Sequence, residues 1–314
     1  MMYLGIDLGG TGIKIGMVDE SGNIIYSSSC PTRANDGYKV IAEDMAKLIG
    51  ETLKETNKEV KDIKSIGIGV PGCVDNAKGE VIYTANIDML HAPLAVELKK
   101  YYDLPVYLAN DADCAALGEY FALNDESVKN LIAITLGTGV GGGIIIDGKI
   151  FAGSNSVAGE LGHMVIKSGG EKCGCGRCGC WEAYASATAI IRETKKAIEK
   201  NPDSLLAKNA KEEGEVNGKT AFDAAWAGCE VAKKVVDDYF NAIAEGLTNI
   251  VNIFQPQAIV IGGGVSRQGD KLLNPIKEHV YKYCYGTGLV DIAKISIAKL
   301  GNDAGIVGAA FLGK

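Results

Sequence analysis

The sequence lacks the features of several large classes of protein. It contains no run of five or more basic residues, and its 39 acidic and 32 basic side chains give a net charge of −7. An acidic protein without a basic patch binds nucleic acids and anionic membranes poorly, so neither is an expected partner. The uncharged apolar stretch at residues 130–146 is too short and too rich in glycine for a membrane span. The N-terminus has no basic region before an apolar segment, so we expect no export signal.

Cysteine use indicates a reducing compartment, and we expect a cytoplasmic protein. The nine cysteines are an odd number, and scattered thiols pack as small hydrophobic side chains in reducing surroundings. Five are spread singly along the chain: Cys30, Cys73, Cys114, Cys229 and Cys284. The other four fall within eight positions: Cys173, Cys175, Cys178 and Cys180. This group is open to interpretation as a disulfide knot, a redox pair, an iron–sulfur site or a metal site, and the scattered thiols disfavour the first.

The order of the predicted elements indicates an α/β protein. A β-hairpin near the N-terminus is followed by alternating helices and strands, which is the pattern of an α/β sheet. Residues 38–57 and 227–252 carry apolar side chains at helical spacing, so we predict a helix in each. Residues 201–219 are polar and are predicted as a loop. The length of 314 residues allows two domains or one large one.

A weak internal repeat relates residues 4–25 to residues 131–151. Each stretch predicts a strand, a glycine-rich turn, a second strand, another turn and a third strand. Two unrelated hairpins would give this pattern. The alternative is a duplicated domain in which each copy offers one phosphate-binding loop.

Three glycine clusters follow predicted strands. Glycine lets the backbone approach closely, so that adjacent N–H groups converge on phosphate oxygens. Gly137, Gly139 and Gly142 match the dinucleotide fingerprint, but a hairpin follows where that fingerprint needs a helix. Tight hairpin turns would explain any one cluster, whereas three together favour a nucleotide site. The clusters are Gly9-Gly10-Thr11-Gly12, Gly137-Thr138-Gly139-Val140-Gly141 and Gly262-Gly263-Gly264.

Two carboxylates stand at the ends of predicted strands. Asp7 precedes the first glycine turn and is either a turn cap or a partner for Mg²⁺, through water, beside bound phosphates. Asp111 follows Asn110 where a strand ends and a helix begins, so it is either a helix cap or a catalytic group. Strand ends beside a cleft are where α/β proteins place catalytic groups. Asp111 is therefore a candidate acceptor for the proton of a substrate hydroxyl.

Together these segments resemble the ROK family of sugar kinases and repressors, within the actin-like ATPase superfamily. DLGGTGIK and TLGTGVGGG are similar to its two phosphate loops, IVIGGGVS to its adenosine-side loop, and LANDADCAALGE to its catalytic-aspartate segment. AGELGH and CGCGRCGCWE resemble the family's sugar-binding and zinc signatures. The resemblance covers nearly the whole chain. The last pair is specific, because residue types and order match over two segments at once.

The resemblance implies an actin-like ATPase (ribonuclease H-like) fold with two α/β domains around a central cleft. We expect a smaller domain of residues 1–117 plus 300–314 and a larger one of residues 118–299, which carries the zinc motif and nucleotide loops. The implied activity is transfer of the γ-phosphoryl group of ATP to a sugar hydroxyl, with glucose, giving glucose 6-phosphate, as the first candidate. Mg²⁺ and a structural Zn²⁺ are the implied cofactors, and a dimer or tetramer is the implied assembly.

The resemblance also implies roles for individual residues. Asp111 is the expected catalytic base. Sugar hydroxyls are expected to contact Asn110, Asp111, Glu160, His163 and Glu182. Zinc is expected on His163, Cys173, Cys175 and Cys180, with Cys178 left over and an all-cysteine site as the alternative. ATP and Mg²⁺ are expected at Asp7, Gly9, Gly10, Thr11, Lys14, Gly137, Thr138, Gly139, Gly262, Gly263 and Gly264.

Departures from the family pattern leave the sugar open. Asp113 stands where the family usually has Asn, and Asp88-Met89 stands where its glucokinases commonly have Gly-Trp. The alternative substrates are N-acetylmannosamine, N-acetylglucosamine, fructose or a β-glucoside. From other classes, the alternatives are a redox protein acting through the cysteines and a sugar-sensing regulator. Repressors of the family carry an N-terminal helix-turn-helix, whereas the first predicted strand here starts at Tyr3.

Overall fold

In the computed structural model, which describes residues 1–314, the chain forms two compact units. The first unit comprises Met1–Ala133, Gly142–Gly159 and Lys299–Lys314, and the second comprises Ile134–Gly141 and Glu160–Ala298. The domain division expected from the sequence instead places residues 118–133, 142–159 and 299 with the larger domain.

Strands and helices alternate over most of the chain. The strands are β1 (Met2–Leu8), β2 (Gly12–Asp19), β3 (Ile24–Pro31), β4 (Ile63–Val70), β5 (Cys73–Asp75), β6 (Glu80–Tyr83), β7 (Leu90–Ala92), β8 (Val106–Asn110), β9 (Leu131–Leu136), β10 (Val140–Ile146), β11 (Lys149–Ile150), β12 (Ala258–Gly262) and β13 (Lys294–Ile297). The α-helices are α1 (Tyr38–Glu55), α2 (Leu94–Leu98), α3 (Asp111–Leu123), α4 (Glu182–Ala185), α5 (Ala187–Lys200), α6 (Leu205–Glu213), α7 (Thr220–Trp226), α8 (Glu230–Phe254), α9 (Asp270–Tyr283) and α10 (Ala304–Ala310). Short 3₁₀ turns cover Val60–Asp62, Leu161–His163, Gly264–Gln268, Gly301–Asp303 and Phe311–Gly313.

Two five-stranded sheets share one strand order. The first runs β3-β2-β1-β4-β8 and the second β11-β10-β9-β12-β13, while β5-β6-β7 form a separate small sheet. In each large sheet the first three strands lie in reverse chain order and are followed by the fourth and the fifth. In the first sheet β1, β2 and β3 pair antiparallel, and β4 and β8 run parallel to β1. This repeated order favours the duplicated domain over two unrelated hairpins.

The hairpin after the second glycine cluster is confirmed. β10 pairs antiparallel with β11 across Asp147 and Gly148, which have φ angles of 51° and 74°. Positive φ at both central residues is the geometry of a type I′ hairpin turn. Because no helix opens here, the dinucleotide-fold interpretation of Gly137, Gly139 and Gly142 is wrong.

Helix α1 buries one face against the first sheet, as its apolar spacing predicts, and α8 likewise follows the spacing over residues 227–252. The loop predicted for residues 201–219 is wrong in its centre, where α6 forms. The Ser204 side chain accepts a hydrogen bond from the Ala207 N–H, and Gly214 ends the helix with a φ of 81°. These are ordinary helix caps, which the polar composition of the segment concealed.

Helix α10 packs against both the first sheet and α3, and its small residues make this possible. A Cβ atom at Gly308 would lie 1.6 Å from the Cys114 carbonyl oxygen, and one at Gly67 would lie 1.7 Å from the Ala309 carbonyl oxygen. Glycine at these positions therefore lets two backbones approach to direct contact. The packing fixes α3, the helix that begins at Asp111. No helix of the structure is both long and apolar enough to span a bilayer.

Candidate active site

The predicted site residues fall into two groups, one in each compact unit. The first unit holds Asp7, Gly9, Gly10, Thr11, Lys14, Asn110 and Asp111. The second unit holds Gly137, Thr138, Gly139, Glu160, His163, Cys173, Cys175, Cys180, Glu182, Gly262, Gly263 and Gly264.

The first glycine turn joins β1 to β2. The Gly9 N–H donates to the Gly12 carbonyl at 2.9 Å, which closes the turn, and the Thr32 hydroxyl donates to the Gly9 carbonyl at 2.6 Å. Thr11 is exposed and Gly10 is partly exposed. The turn therefore presents backbone and a hydroxyl to solvent, as a phosphate-binding loop requires.

Asp7 is the last residue but one of β1 and lies directly opposite Lys14 on β2. Burial raises the pKa of the Asp7 carboxyl, and the nearby Lys14 ammonium lowers it, with burial the larger effect. A partly buried carboxylate of this kind is stabilised in its charged form by a further cation. The pair thus offers one negative and one positive group beside the turn.

Asn110 and Asp111 mark the point where β8 becomes α3. The Asn110 side chain accepts a hydrogen bond from the Ala112 N–H at 2.8 Å and donates one to the Gly72 carbonyl at 2.9 Å. Asn110 is thus the N-cap of α3 as well as a candidate ligand. The Asp111 carboxylate also accepts from the Ala112 N–H, at 2.9 Å, and its residue is exposed. A carboxylate at a helix N-terminus, open to solvent, can receive a proton from a bound hydroxyl.

The residues that depart from the family pattern differ in their exposure. Asp113 is buried within the first turn of α3, whereas its neighbour Asp111 is exposed. Met89 is also buried and belongs to the core of the first unit. Asp88 is exposed, and its N–H donates to the Ala34 carbonyl at 2.7 Å.

The second glycine turn joins β9 to β10 and is attached to the segment that follows the cysteines. The Gly137 N–H donates to the Gly139 carbonyl at 3.0 Å, which spans one residue fewer than the bond that closes the first turn. The Gly137 carbonyl accepts from the Ala187 N–H at 2.8 Å, and the Thr138 carbonyl accepts from the Thr188 hydroxyl at 2.8 Å. These bonds hold the backbone of the turn, and the Thr138 residue that it carries is exposed.

The third glycine cluster follows β12. Gly263 has a φ of 85°, and a Cβ atom there would lie 2.4 Å from the Leu136 carbonyl oxygen, so this position needs glycine. Its carbonyl accepts from the Ser266 hydroxyl at 2.8 Å, which ties the glycines to the 3₁₀ turn Gly264–Gln268. Gly263 and Gly264 are exposed.

The structure brings together one histidine and three cysteines. The ligating atoms of His163, Cys173, Cys175 and Cys180 all lie within 4.8 Å of one another. The Cys175 and Cys180 sulfurs are 3.6 Å apart, and the Cys173 sulfur is 3.7 Å from His163 Nδ1. Cys178 is exposed and is not one of these four.

These spacings fit a tetrahedral zinc site. Two thiolates at about 2.3 Å from zinc in tetrahedral geometry lie about 3.8 Å apart, and a thiolate and an imidazole nitrogen lie slightly closer. Three cysteines and one histidine are also an ordinary structural zinc set. We therefore define His163, Cys173, Cys175 and Cys180 as the Cys₃His cluster. Its donors suit a soft or borderline divalent cation better than Mg²⁺.

The thiols of the cluster differ in acidity. Burial raises the pKa of Cys173 to about 12 and also raises the pKa of Cys180. The pKa of the exposed Cys175 is lowered, chiefly by a hydrogen bond from the Arg177 backbone N–H. Thiolates are the form that metals bind, so a bound cation would reverse the effect of burial on the first two.

His163 has one ring nitrogen toward the cluster and the other toward Glu160. Its Nε2 lies 3.8 Å from Glu160 Oε2, on a side chain that is 69% exposed. A histidine that ligates through Nδ1 and faces a carboxylate through Nε2 is a common arrangement around metals. The geometry thus places Glu160 next to the cluster with its carboxylate in solvent.

Trp181 and Glu182 connect the cluster to the rest of the second unit. Trp181 is fully buried, and its indole N–H donates to the Ala242 carbonyl of α8 at 2.8 Å. Glu182 begins α4, and its Oε2 accepts from the Val140 N–H at 3.0 Å. Its Oε1 is 3.5 Å from the Cys173 sulfur. The family resemblance implies that Glu182 is a sugar ligand, and it did not reveal these contacts.

Glu119 is a further buried carboxylate that sequence reasoning missed. Its oxygens accept hydrogen bonds from the Lys299 and Leu300 N–H groups, each at 2.8 Å. The partners lie 180 and 181 positions away along the chain, so no local pattern could have identified them. A glutamate at the end of an apolar helical run was the one available signal.

Comparisons with known proteins identify the family of the chain. The ROK family pattern matches residues 3–314. A glucokinase from Halalkalibacterium halodurans is 40% identical over 99% of this chain and 94% of its own. Among solved structures, a ROK family glucokinase from Streptomyces griseus in complex with glucose and AMPPNP has a TM-score of 0.78 at 35% identity, covering 99% of both chains. A ROK hexokinase from Thermus thermophilus has a TM-score of 0.81 at 30% identity, covering 99% of this chain and 97% of its own.

These likenesses run through both compact units and include every segment on which the family resemblance depended. The α/β architecture is that of the ROK sugar kinases, which have the actin-like ATPase fold. The chain belongs to the ROK family.

Proposed function

We propose that this protein is an ATP-dependent glucokinase, which transfers the γ-phosphoryl group of ATP to glucose and releases glucose 6-phosphate and ADP. The observation that carries the proposal is the 35% identity, over 99% of the chain, to a glucokinase structure with glucose and AMPPNP. The three glycine loops and Asp111 are the chemistry that such a reaction needs.

The glycine turns supply the nucleotide contacts in this proposal. Phosphoryl transfer asks the protein mainly for positioning and for stabilisation of negative charge. In the first unit, the turn at Gly9, Gly10 and Thr11 with Lys14 offers N–H groups, a hydroxyl and an ammonium. In the second unit, the exposed turns at Thr138 and at Gly263-Gly264 offer N–H groups and the Thr138 hydroxyl. Mg²⁺ bound to ATP supplies positive charge at the phosphates, and Asp7 would hold it, through water.

Asp111 is the proposed general base. It is exposed at the start of α3, and the packing of α10 against α3 fixes that helix. The carboxylate accepts the proton of the attacking sugar hydroxyl as the oxygen–phosphorus bond forms. The proposed ligands of sugar hydroxyls are Asn110 in the first unit and Glu160, His163 and Glu182 in the second. Carboxylates accept hydrogen bonds, an imidazole N–H donates one, and an amide does both, so together they match hydroxyls that donate and accept.

The Cys₃His cluster is the proposed site of a structural zinc ion. Four protein ligands would leave no open position for substrate, and closed sites of this kind stabilise folding. The ion would fix the loop that carries Glu160 and His163 to the start of α4 at Glu182.

A panel assay tests the proposed function. Purified protein with Mg²⁺·ATP is offered glucose, mannose, fructose, glucosamine, N-acetylglucosamine, N-acetylmannosamine and a β-glucoside, and released ADP is measured. We expect the highest kcat/KM with glucose. A higher kcat/KM with an N-acetyl sugar would assign the protein to another kinase of the family. No turnover with any sugar, together with sugar binding by calorimetry, would favour the sugar-sensing regulator.

The role of Asp111 is tested in the same assay. Asp111→Asn should lower kcat by at least about 10²-fold, the usual contribution of a general base. The matched control is Asp103→Asn, at an exposed aspartate of the same unit, which should keep normal turnover. Circular dichroism should show both variants folded, and near-normal kcat in Asp111→Asn would remove this residue from the mechanism.

The dimer or tetramer expected from the family resemblance stays a prediction. Light scattering on the eluting peak of a size-exclusion column would give the mass in solution. A single species of 33.0 kDa, the mass of one chain, would contradict it.

A further inference from the structure

Glu182 touches two elements of the second unit that are far apart in sequence. Its Oε2 accepts the hydrogen bond of the Val140 N–H at 3.0 Å, and its Oε1 lies 3.5 Å from the sulfur of Cys173. Val140 ends the second glycine turn, and Cys173 belongs to the Cys₃His cluster. One half-buried carboxylate therefore links the turn proposed to hold phosphate with the cluster proposed to hold zinc.

The glycine next to Val140 leaves room for this carboxylate. A Cβ atom at Gly139 would lie 2.4 Å from Glu182 Oε2 and 3.3 Å from its carboxyl carbon. Gly139 is not among the residues with positive φ, so its backbone conformation is open to alanine. Glycine is needed at position 139 because the Glu182 carboxylate occupies the space that a side chain would take.

The other attachments of the turn bypass the cluster. The Ala187 N–H and the Thr188 hydroxyl hold the carbonyls of Gly137 and Thr138 from the start of α5. They fix the carbonyl side of the turn, whereas Glu182 fixes an N–H group. A backbone N–H held by a carboxylate makes a stronger hydrogen bond than one held by a neutral acceptor. Glu182 is thus placed to control how Val140 and the N–H groups before it are oriented.

We propose that Glu182 is the positioning residue of the second glycine turn. Through Glu182, occupancy of the Cys₃His cluster controls the order of residues 137–140 and their affinity for nucleotide phosphate. The inference rests on the proposed function, because that function assigns the turn to ATP. It gives the metal a second effect, on the nucleotide, in addition to the order of the sugar-binding loop.

The test compares amide hydrogen exchange of residues 137–141 in zinc-loaded and chelated protein. In the wild type, zinc removal should speed exchange in this segment about tenfold, the effect expected for weakening one charge-assisted hydrogen bond. Glu182→Ala should show fast exchange whether or not zinc is bound. Thr188→Val, which removes the neighbouring attachment, should still respond to zinc removal. Exchange in α8 serves as the internal reference, because a change there would report loss of the fold.

Two further variants separate positioning from bulk stability. Glu182→Gln retains an oxygen that can accept from the Val140 N–H but loses the charge, so its exchange should lie between that of wild type and that of Glu182→Ala. Gly139→Ala should push the carboxylate away and reproduce the fast exchange of Glu182→Ala with all four cluster residues present. ADP affinity measured by calorimetry should fall about tenfold in Glu182→Ala and Gly139→Ala, and far less in Glu182→Gln.

The outcomes distinguish this inference from the proposed function. If wild-type protein fails to bind ADP, the assignment of the turn to nucleotide is wrong. If ADP binds, but exchange and affinity are the same in Glu182→Ala and wild type, the positioning role of Glu182 is wrong while the kinase proposal stands. If Glu182→Ala exchanges fast but still responds to zinc removal as strongly as wild type, the link to the cluster is wrong.

Discussion

Glu119 joins α3 to the segment before α10, and replacing it tests how the helix that begins at Asp111 is held. The carboxylate is buried and accepts two hydrogen bonds of 2.8 Å, from the N–H groups of Lys299 and Leu300. The Lys299 ammonium returns to the same helix and donates to the Ala122 carbonyl at 3.0 Å. The segment is therefore attached to the last turns of α3 from both sides.

The expected loss in the free energy of unfolding follows from the number of hydrogen bonds that the substitution removes. A hydrogen bond to a charged group contributes about 1.5–3 kcal/mol. Glu119→Ala removes both and leaves two N–H groups without their acceptor, so we expect the free energy of unfolding to fall by about 3–5 kcal/mol. Glu119→Gln keeps one acceptor oxygen and turns an amide NH₂ toward the other N–H. Its expected loss is about 2 kcal/mol.

Urea denaturation followed by far-UV circular dichroism measures these losses. The matched control is Glu55→Ala, at an exposed glutamate near the end of α1, which should change the free energy of unfolding by less than about 0.5 kcal/mol. A loss below about 1 kcal/mol in Glu119→Ala would refute the reasoning, because it would show that the two bonds contribute little to holding α3. Equal losses in the alanine and glutamine variants would show that packing, and not hydrogen bonding, sets the effect.

Three other predictions address the packing, the charge and the metal. Gly308→Ala puts a methyl group against a backbone carbonyl of α3, so thermal unfolding should show a loss of about 3 kcal/mol or no folded protein, and an unchanged midpoint would contradict the close packing. Burial raises the pKa of Asp7, so in Mg²⁺-free buffer Asp7→Asn should be more stable than wild type at pH 7. The difference in the free energy of unfolding should vanish below about pH 3.9, and a difference independent of pH would contradict this. Cys180→Ser should lose bound zinc, measured by elemental analysis, whereas Cys178→Ser should keep it, and the reverse would overturn the proposed ligand set.

The pH dependence at Asp7 follows from the direction of its shift. A carboxyl whose folded pKa lies above its unfolded value binds more protons in the native state. Its contribution to stability is fully present below the unfolded pKa and is lost as pH rises through the folded pKa. An asparagine carries no such penalty at pH 7, although it also loses the attraction to Lys14, which is the smaller effect. The gain in stability should come with lower kinase activity if Asp7 helps to hold Mg²⁺ through water.

Local patterns predicted most of the fold because most elements are set by nearby residues. The apolar stripes of α1 and α8, the Asp147-Gly148 hairpin turn and the apolar strands β4 and β8 each carry their own signal in sequence. Helix α6 was missed because it is short and polar, so the caps at Ser204 and Gly214 outweighed a composition that indicated a loop. The repeat of the two hairpins was visible, but the common strand order of the two sheets required the positions of strands far apart in the chain.

The ligands of the Cys₃His cluster could be predicted from the sequence, whereas the hydrogen-bond partners of Glu182 could not. The family resemblance implied the four residues of the Cys₃His cluster, and the structure brings their ligand atoms within 4.8 Å of one another. The resemblance did not lead to the partners of Glu182, since Val140 lies 42 positions away and a backbone N–H has no signature in sequence. Gly139 illustrates the same limit. Its glycine was attributed to phosphate binding, yet the space beside it is filled by a carboxylate of the same unit. A glycine in a phosphate loop can therefore make room for a ligand, for a neighbouring side chain or for both. Gly139→Ala distinguishes these cases, because a glycine needed only for the nucleotide would leave amide hydrogen exchange at Val140 unchanged in the absence of nucleotide.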